Sequence, residues 1–238
     1  MINKLIQLLI PLYEDLVKVN INNTCETFCA QWGESYQEGG IMFVGRAVND
    51  WKPQGCRDVK TMFTIGTEEQ IYMREDHMRW VEDIRYFSSS AFWRVVKDIS
   101  QQITNDKEGW YKHIVWSNLY KQSPTGGKKN PNYTSRQSQF RICLEILKTE
   151  LEIFKPKFVV LLNGSEWYND FLWCLNEDKE LDILESKFWE GRENTKYKID
   201  ICKIGDIYFI GSVHPQGKKV EEHADVIVEM IKNQTSNI

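Results

Sequence analysis

Three short segments place polar, reactive residue types directly after apolar runs. His214-Pro215-Gln216-Gly217 follows the run Ile207–Val213. The proline restrains the backbone, so the His214 imidazole could donate a hydrogen bond to an oxygen that gains negative charge. The same histidine could instead cap the last helix or bond a carbonyl. Asn118 ends the run His113–Leu119, and its amide offers a donor and an acceptor side by side, which suits the edge of a heterocyclic base. A loop asparagine that satisfies backbone groups would look the same. Gly45-Arg46-Ala47-Val48-Asn49-Asp50 follows Ile41–Val44. It supplies a glycine for close backbone approach, amides that can cradle a carbonyl or phosphate, and a carboxylate. With one glycine it is not a glycine-rich nucleotide loop.

These segments can act together only if the runs before them are neighbouring strands. Ile41-Met42-Phe43-Val44 and Phe158-Val159-Val160-Leu161-Leu162 are continuous apolar runs, as expected of strands covered on both faces. Residues 87–103 have helical spacing after a serine-rich start. Thr134 or Ser135 can cap a helix whose Phe140, Cys143, Leu147, Leu151 and Phe154 share one face, and Pro156 ends it. Residues 165–176 and 221–233 read as helices. Tyr197–Ile204 and Ile207–Val213 can pair as a ribbon or run in sequence. The first 38 residues read as helical, ending in Glu38-Gly39-Gly40, and 51–77 as polar and irregular. The alternation predicts an α/β fold, a three-layer α/β/α sandwich around a central, mainly parallel four-stranded sheet. In such sheets ligands bind beyond the carboxyl ends of the strands, where all three segments fall. One domain over 1–238 is expected, with 1–38 as a helical extension and 40–232 as the core.

Composition narrows the function classes. The chain has 238 residues, 42% hydrophobic and 27% charged, with 14 Gly and 6 Pro, which excludes wholesale disorder and a fibrous chain. Lys and Arg number 30 against 34 Asp and Glu, a net charge of −4, so any polyanion must be met by a local basic face. No apolar run approaches the ~20 residues that cross a bilayer. Leu5–Tyr13 is followed at once by Glu14 and Asp15 without a small-residue cleavage site, so it reads as a helix rather than a leader. A cytoplasmic monomer without membrane partners is expected. Cys25, Cys29, Cys56, Cys143, Cys174 and Cys202 are scattered as buried thiols are, and Cys25-x₃-Cys29 lacks a second pair. Neither metal nor cofactor is expected.

In order and context the segments resemble the uracil-DNA glycosylase superfamily over about residues 40–232. Val44-Gly45-Arg46-Ala47-Val48-Asn49 stands where members carry G-E-A-P-G, G-I-N-P-G or G-Q-D-P-Y. Phe87-Ser88-Ser89-Ser90-Ala91-Phe92-Trp93 is similar to the aromatic and N-x-F-W segment of the mismatch-type glycosylases. Ser117-Asn118-Leu119-Tyr120-Lys121-Gln122-Ser123-Pro124 is similar to T-N-x-V-K-C-R-P-P of the iron–sulfur uracil glycosylases. Pro156-Lys157-Phe158 through Asn163-Gly164 is similar to their P-K-x-I-x-x-L-G, and His214-Pro215-Gln216 to the closing H-P-S. Gln122 replaces the cysteine of K-C-R-P-P, so a four-cysteine cluster is not expected.

The resemblance implies hydrolysis of the N-glycosidic bond of uracil, or a related deaminated base, flipped out of DNA. Phe87 would stack on the base and Asn118 would bond its edge. The backbone of Gly45, Arg46 and Ala47 would hold a base carbonyl. Asp50, or else Asn49, would position the water, and His214 would stabilise the departing base. Ser88, Gln216, Lys218 and Lys219 would meet the DNA backbone, although the two lysines equally suit a solvated helix start. Two other readings remain: a non-catalytic nucleic-acid or nucleobase-binding module on the same fold, and an unrelated hydrolase or small-molecule binder on a flavodoxin-like sheet.

Overall fold

Short apolar runs make the strands, and the turn residues between them set which way each strand pairs. The computed structural model describes residues 2–19, 25–47, 58–64, 66–67, 78–83, 89–124 and 130–235. By contacts the chain forms two compact units interleaved in sequence. The first comprises Met1–Gln31, Gly45–Glu75 and Trp116–Lys155, and the second Trp32–Val44, Asp76–Val115 and Pro156–Ile238. Strands β3 (Ile41–Ala47) and β4 (Ile114–Tyr120) begin in the second unit and end in the first.

In the second unit β3, β6 (Phe158–Leu162) and β9 (Ile207–Ser212) pair in parallel, Ile41 opposite Phe158 and Phe158 opposite Tyr208. From β9 the sheet continues antiparallel through β8 (Lys196–Ile204) to β7 (Ile183–Glu190). With β2 (Gln31–Trp32) the strand order is β2-β4-β3-β6-β9-β8-β7. The sheet therefore has seven strands and is mixed, which corrects the expectation of four mainly parallel ones. The cause lies in two tight connections. Ile204 pairs with Ile207, so only Gly205 and Asp206 lie between β8 and β9. Gly205 has a φ of +57°, the left-handed backbone that two-residue hairpin turns require, and so short a link can join only antiparallel neighbours. Gly191 N donates to Thr195 O at 2.8 Å in the second hairpin turn, between β7 and β8. β7 escaped the sequence reading because most of it is exposed and it forms no apolar run.

Helix α3 (Ala91–Thr104) starts at Ser90, whose Oγ accepts from Trp93 N at 3.3 Å. It buries Val95, Val96 and Ile99 and packs against α6 (Val220–Thr235), which also covers β7. Helix α5 (Ser165–Leu175) packs on β9. There Gly211 matters, because a Cβ at that position would lie 2.5 Å from the Tyr168 hydroxyl.

In the first unit α1 (Ile2–Val19) packs on α4 (Tyr133–Phe154), burying Leu9, Tyr13 and Leu16. The short helix α2 (Val59–Met62) is capped by Asp58 and touches α1. β1 (Cys25–Thr27) pairs antiparallel with β5 (Gln122–Pro124). The first 38 residues are therefore not continuously helical, because pairing to β5 draws the chain after α1 into a strand. Cys143, Leu147, Leu151 and Phe154 of α4 are buried as the spacing predicts, while Phe140 is half-buried. The cap of α4 is Asn132 rather than Thr134 or Ser135; its side chain accepts from Ser135 N at 2.9 Å. Among the described residues no helix is long and apolar enough to cross a membrane.

The cap gives a first test. Asn132→Ala should lower the free energy of unfolding by about 1 kcal/mol in urea titration, and Thr134→Ala by clearly less.

Candidate functional site

In the first unit the chemistry gathers at the carboxyl end of β4. Every residue of that strand is buried, and the chain stays buried through Lys121, Gln122 and Ser123. Several bonds fasten this stretch. Phe28 N donates to Lys121 O at 2.8 Å, and Lys121 N to the Cys143 sulfur at 3.3 Å. Gln122 N donates to Gln139 Oε1 at 3.0 Å, and Gln139 Nε2 returns a bond to Gln122 O at 3.2 Å. Beneath the strand end Lys121 Nζ donates to Ser117 Oγ at 2.6 Å, to Asn118 O at 2.8 Å and to Glu150 Oε2 at 2.8 Å. Ser117 Oγ donates to the same carboxylate oxygen at 2.7 Å.

Among the side-chain donors gathered here Asn118 is the exception. It is 2% exposed, and its Nδ2 has no hydrogen-bond partner among the described residues. Leaving a buried amide donor unsatisfied costs about 1–3 kcal/mol, so such groups in native proteins call for an explanation. A ligand's acceptor atom supplies one. On the neighbouring strand β3, Gly45 is buried and Arg46 and Ala47 are half-buried.

In the second unit His214 follows β9, and Gln216 N donates to its Nδ1 at 3.2 Å. A neutral imidazole that accepts at Nδ1 carries its proton on Nε2, so His214 presents an N–H donor there. The bond from Gln216 N thus selects the tautomer protonated at Nε2. Lys218 lies over the Tyr197 ring, 5.0 Å from its centre, and Lys219 pairs with Glu222 at 2.9 Å. Nearby, Asn163 Nδ2 donates to Val44 O at 3.2 Å, linking the ends of β6 and β3.

The sequence reading missed two buried groups. Glu150 lies three residues after Leu147 and four before Phe154, a charge on a face otherwise apolar, and that break in pattern was its signal. His223 has no exposed surface, stacks on Trp189 with ring centres 4.6 Å apart, and shares a 2.7 Å hydrogen bond between Nε2 and Ser212 Oγ. It therefore fastens α6 to the last residue of β9, two positions before His214.

Asn49, Asp50, Phe87 and Ser88 lie outside the described residues. A pocket of about 520 Å³ opens in the second unit at the amino ends of β3, β4 and β6, with Gly39, Gly40, Ser100 and Phe158 in its wall. None of the described candidate site residues lines it. The donor set around Gln122 does not fit a four-cysteine cluster. Position 122 offers an amide, and burial pushes the Cys143 thiol up to about 12. Among the described residues no group of His, Cys, Asp or Glu could hold a metal ion.

His223 yields a pH test. Burial, then the nearby charges of Lys218 and His214, pushes its pKa down to about 3. An unfolded histidine titrates near 6.5, so between about 3 and 6.5 the unfolded chain binds the extra proton and stability rises with pH. Acidification through that window should remove about 1.4 kcal/mol per pH unit at most from this group. Urea titrations at pH 7 and pH 5 should show this loss in the wild type and a shallower one in His223→Gln.

A family model described as the uracil DNA glycosylase superfamily matches residues 30–226, well over half of the chain. A comparison with curated proteins finds no match. The matched span holds the Gly45–Ala47 strand end, the Asn118 strand end and the His214 turn in the order that the resemblance requires, and the chain belongs to the uracil-DNA glycosylase superfamily.

Proposed function

We propose that this chain is a hydrolytic DNA glycosylase that cleaves the N-glycosidic bond of uracil, or a related deaminated base, in DNA. One observation carries the reading: the Asn118 amide is buried and its Nδ2 has no partner among the described residues, toward the end of a strand where the Ser117 hydroxyl and the Lys121 ammonium donate every hydrogen they carry. A donor kept dry and unused is suited to the carbonyl edge of a base that has left its duplex partner. The glycosidic bond is out of reach inside the duplex, so the target nucleotide must be extruded into a pocket.

In this reading the backbone at Gly45, Arg46 and Ala47 holds a second base carbonyl and Phe87 covers the ring. The bond to the sugar weakens as an oxocarbenium-like state forms and negative charge moves onto the base. The Nε2–H of His214 receives that charge, and the tautomer fixed by Gln216 N means that no proton need move first. Asp50, or Asn49, directs a water to the sugar carbon. Ser88, Gln216, Lys218 and Lys219 bind flanking phosphates, a local contact that needs no overall positive charge. The protein acts as a cytoplasmic monomer whose glycosylase core spans 40–232.

Purified protein incubated with a uracil-containing oligonucleotide should leave alkali-labile abasic sites. His214→Ala should slow excision by about 10²–10³-fold, the usual cost of removing one donor to a developing anion. Asn118→Ala should cost about 10–100-fold and blur discrimination among pyrimidines. Intact strands with single-stranded, paired and mismatched uracil would overturn the enzymatic reading. Salt-dependent DNA binding without cleavage would mark a binding module instead.

A further inference from the structure

Lys121 and Glu150 have no exposed side-chain surface, and their charged atoms lie 2.8 Å apart. A buried ion pair is a poor source of stability, because desolvation offsets its attraction and apolar residues of similar volume do as well. Its effect at this place is geometric. All three hydrogens of the ammonium are committed: one each to Ser117 Oγ, Asn118 O and Glu150 Oε2. Two of those acceptors belong to consecutive residues of β4, and the third comes from α4, which is separately tied to β5 through Gln139 and Gln122. Glu150 Oε1 has no hydrogen-bond partner among the described residues, so the carboxylate is committed through one oxygen, shared by Lys121 and Ser117.

The bond to Asn118 O fixes the peptide plane that leaves Asn118. Within a strand paired on its other residues, that also fixes the direction of the Asn118 Cα–Cβ bond. The side-chain amide at that residue is a buried donor of the strand end with no partner among the described residues. We infer that Lys121 and Glu150 are a positioning pair that aims the Asn118 amide, so that discrimination among bases depends on two residues that never touch the base. The inference rests on the reading of Asn118 as the base-edge contact. The lysine has no uncommitted hydrogen to bring to the chemistry, and Glu150 has no exposed side-chain surface from which to reach a substrate.

A double-mutant cycle tests it. Lys121→Met/Glu150→Leu replaces the pair by apolar side chains of similar volume and is expected to fold. Its kcat/KM on a uracil oligonucleotide should fall by about tenfold or more, with uracil-over-cytosine discrimination reduced as in Asn118→Ala. Introduced into Asn118→Ala, the same pair replacement should cost almost nothing further, because its effect runs through that amide. Unchanged activity would overturn the inference, and so would a loss that adds in full to Asn118→Ala, which is how a merely structural role behaves. Should the double replacement not fold, Glu150→Gln, which keeps an oxygen toward Lys121 and removes the charge, enters the same cycle with the same outcomes. A crystal structure of the folded variant separates this inference from the proposed function. An Asn118 amide displaced from its wild-type position supports the positioning role even if the wild type excises no uracil, and an unmoved amide refutes it even if excision is fast.

Discussion

A lysine without exposed surface has to be held by every hydrogen it carries, and Lys121 meets that condition at one point of the fold. Its ammonium requires a carboxylate from α4, a hydroxyl from within β4 and the carbonyl of Asn118 to meet within hydrogen-bond range. Satisfying all three demands a particular approach of helix to strand. The surrounding bonds from Phe28, Gln139 and Cys143 to residues 121 and 122 supply it. The result is a strand end whose side-chain donors are bonded, among the described residues, except for the Asn118 amide. That exception gives the first unit its chemical character.

The second unit reaches a comparable end by other means. Here an apolar strand, β9, delivers a Ser-Val-His-Pro-Gln stretch whose geometry is set by a proline, by the backbone bond from Gln216 N to the imidazole, and by a neutral, buried histidine behind it. His223 cannot protonate cheaply where it lies, so its bond to Ser212 persists through the physiological range. In each unit a buried titratable side chain fastens a strand, Lys121 through Asn118 O of β4 and His223 through Ser212 of β9. Such use of polar groups is consistent with specificity of geometry rather than with added stability.

Much of the architecture was legible because burial on two faces writes itself as a continuous apolar run. β3, β4, β6 and β9, and the helices α3 to α6, carried that signal or the helical spacing. The parts that were not legible share a physical cause. β7 is an exposed edge with Ile183, Leu184 and Phe188 facing outward, so no run marks it, and the two hairpin turns that make the sheet mixed depend on single residues such as Gly205. β1 forms because β5 offers it a pairing edge, a long-range fact that local spacing does not contain. Asn118 and His214 stood out in the sequence as polar residues at apolar runs, and the structure puts the first within β4 and the second just after β9. Lys121 did not stand out, since alone it reads as a surface charge, and Glu150 showed only as a break in the apolar face of α4 that its meeting with Lys121 explains.

The most direct measurement is a crystal structure with an oligonucleotide carrying a uracil nucleotide whose glycosidic bond resists cleavage. Asn118 Nδ2 within hydrogen-bond distance of a uracil carbonyl oxygen is the expected result. An extruded base seated elsewhere, with the Asn118 amide still unpartnered, would contradict it.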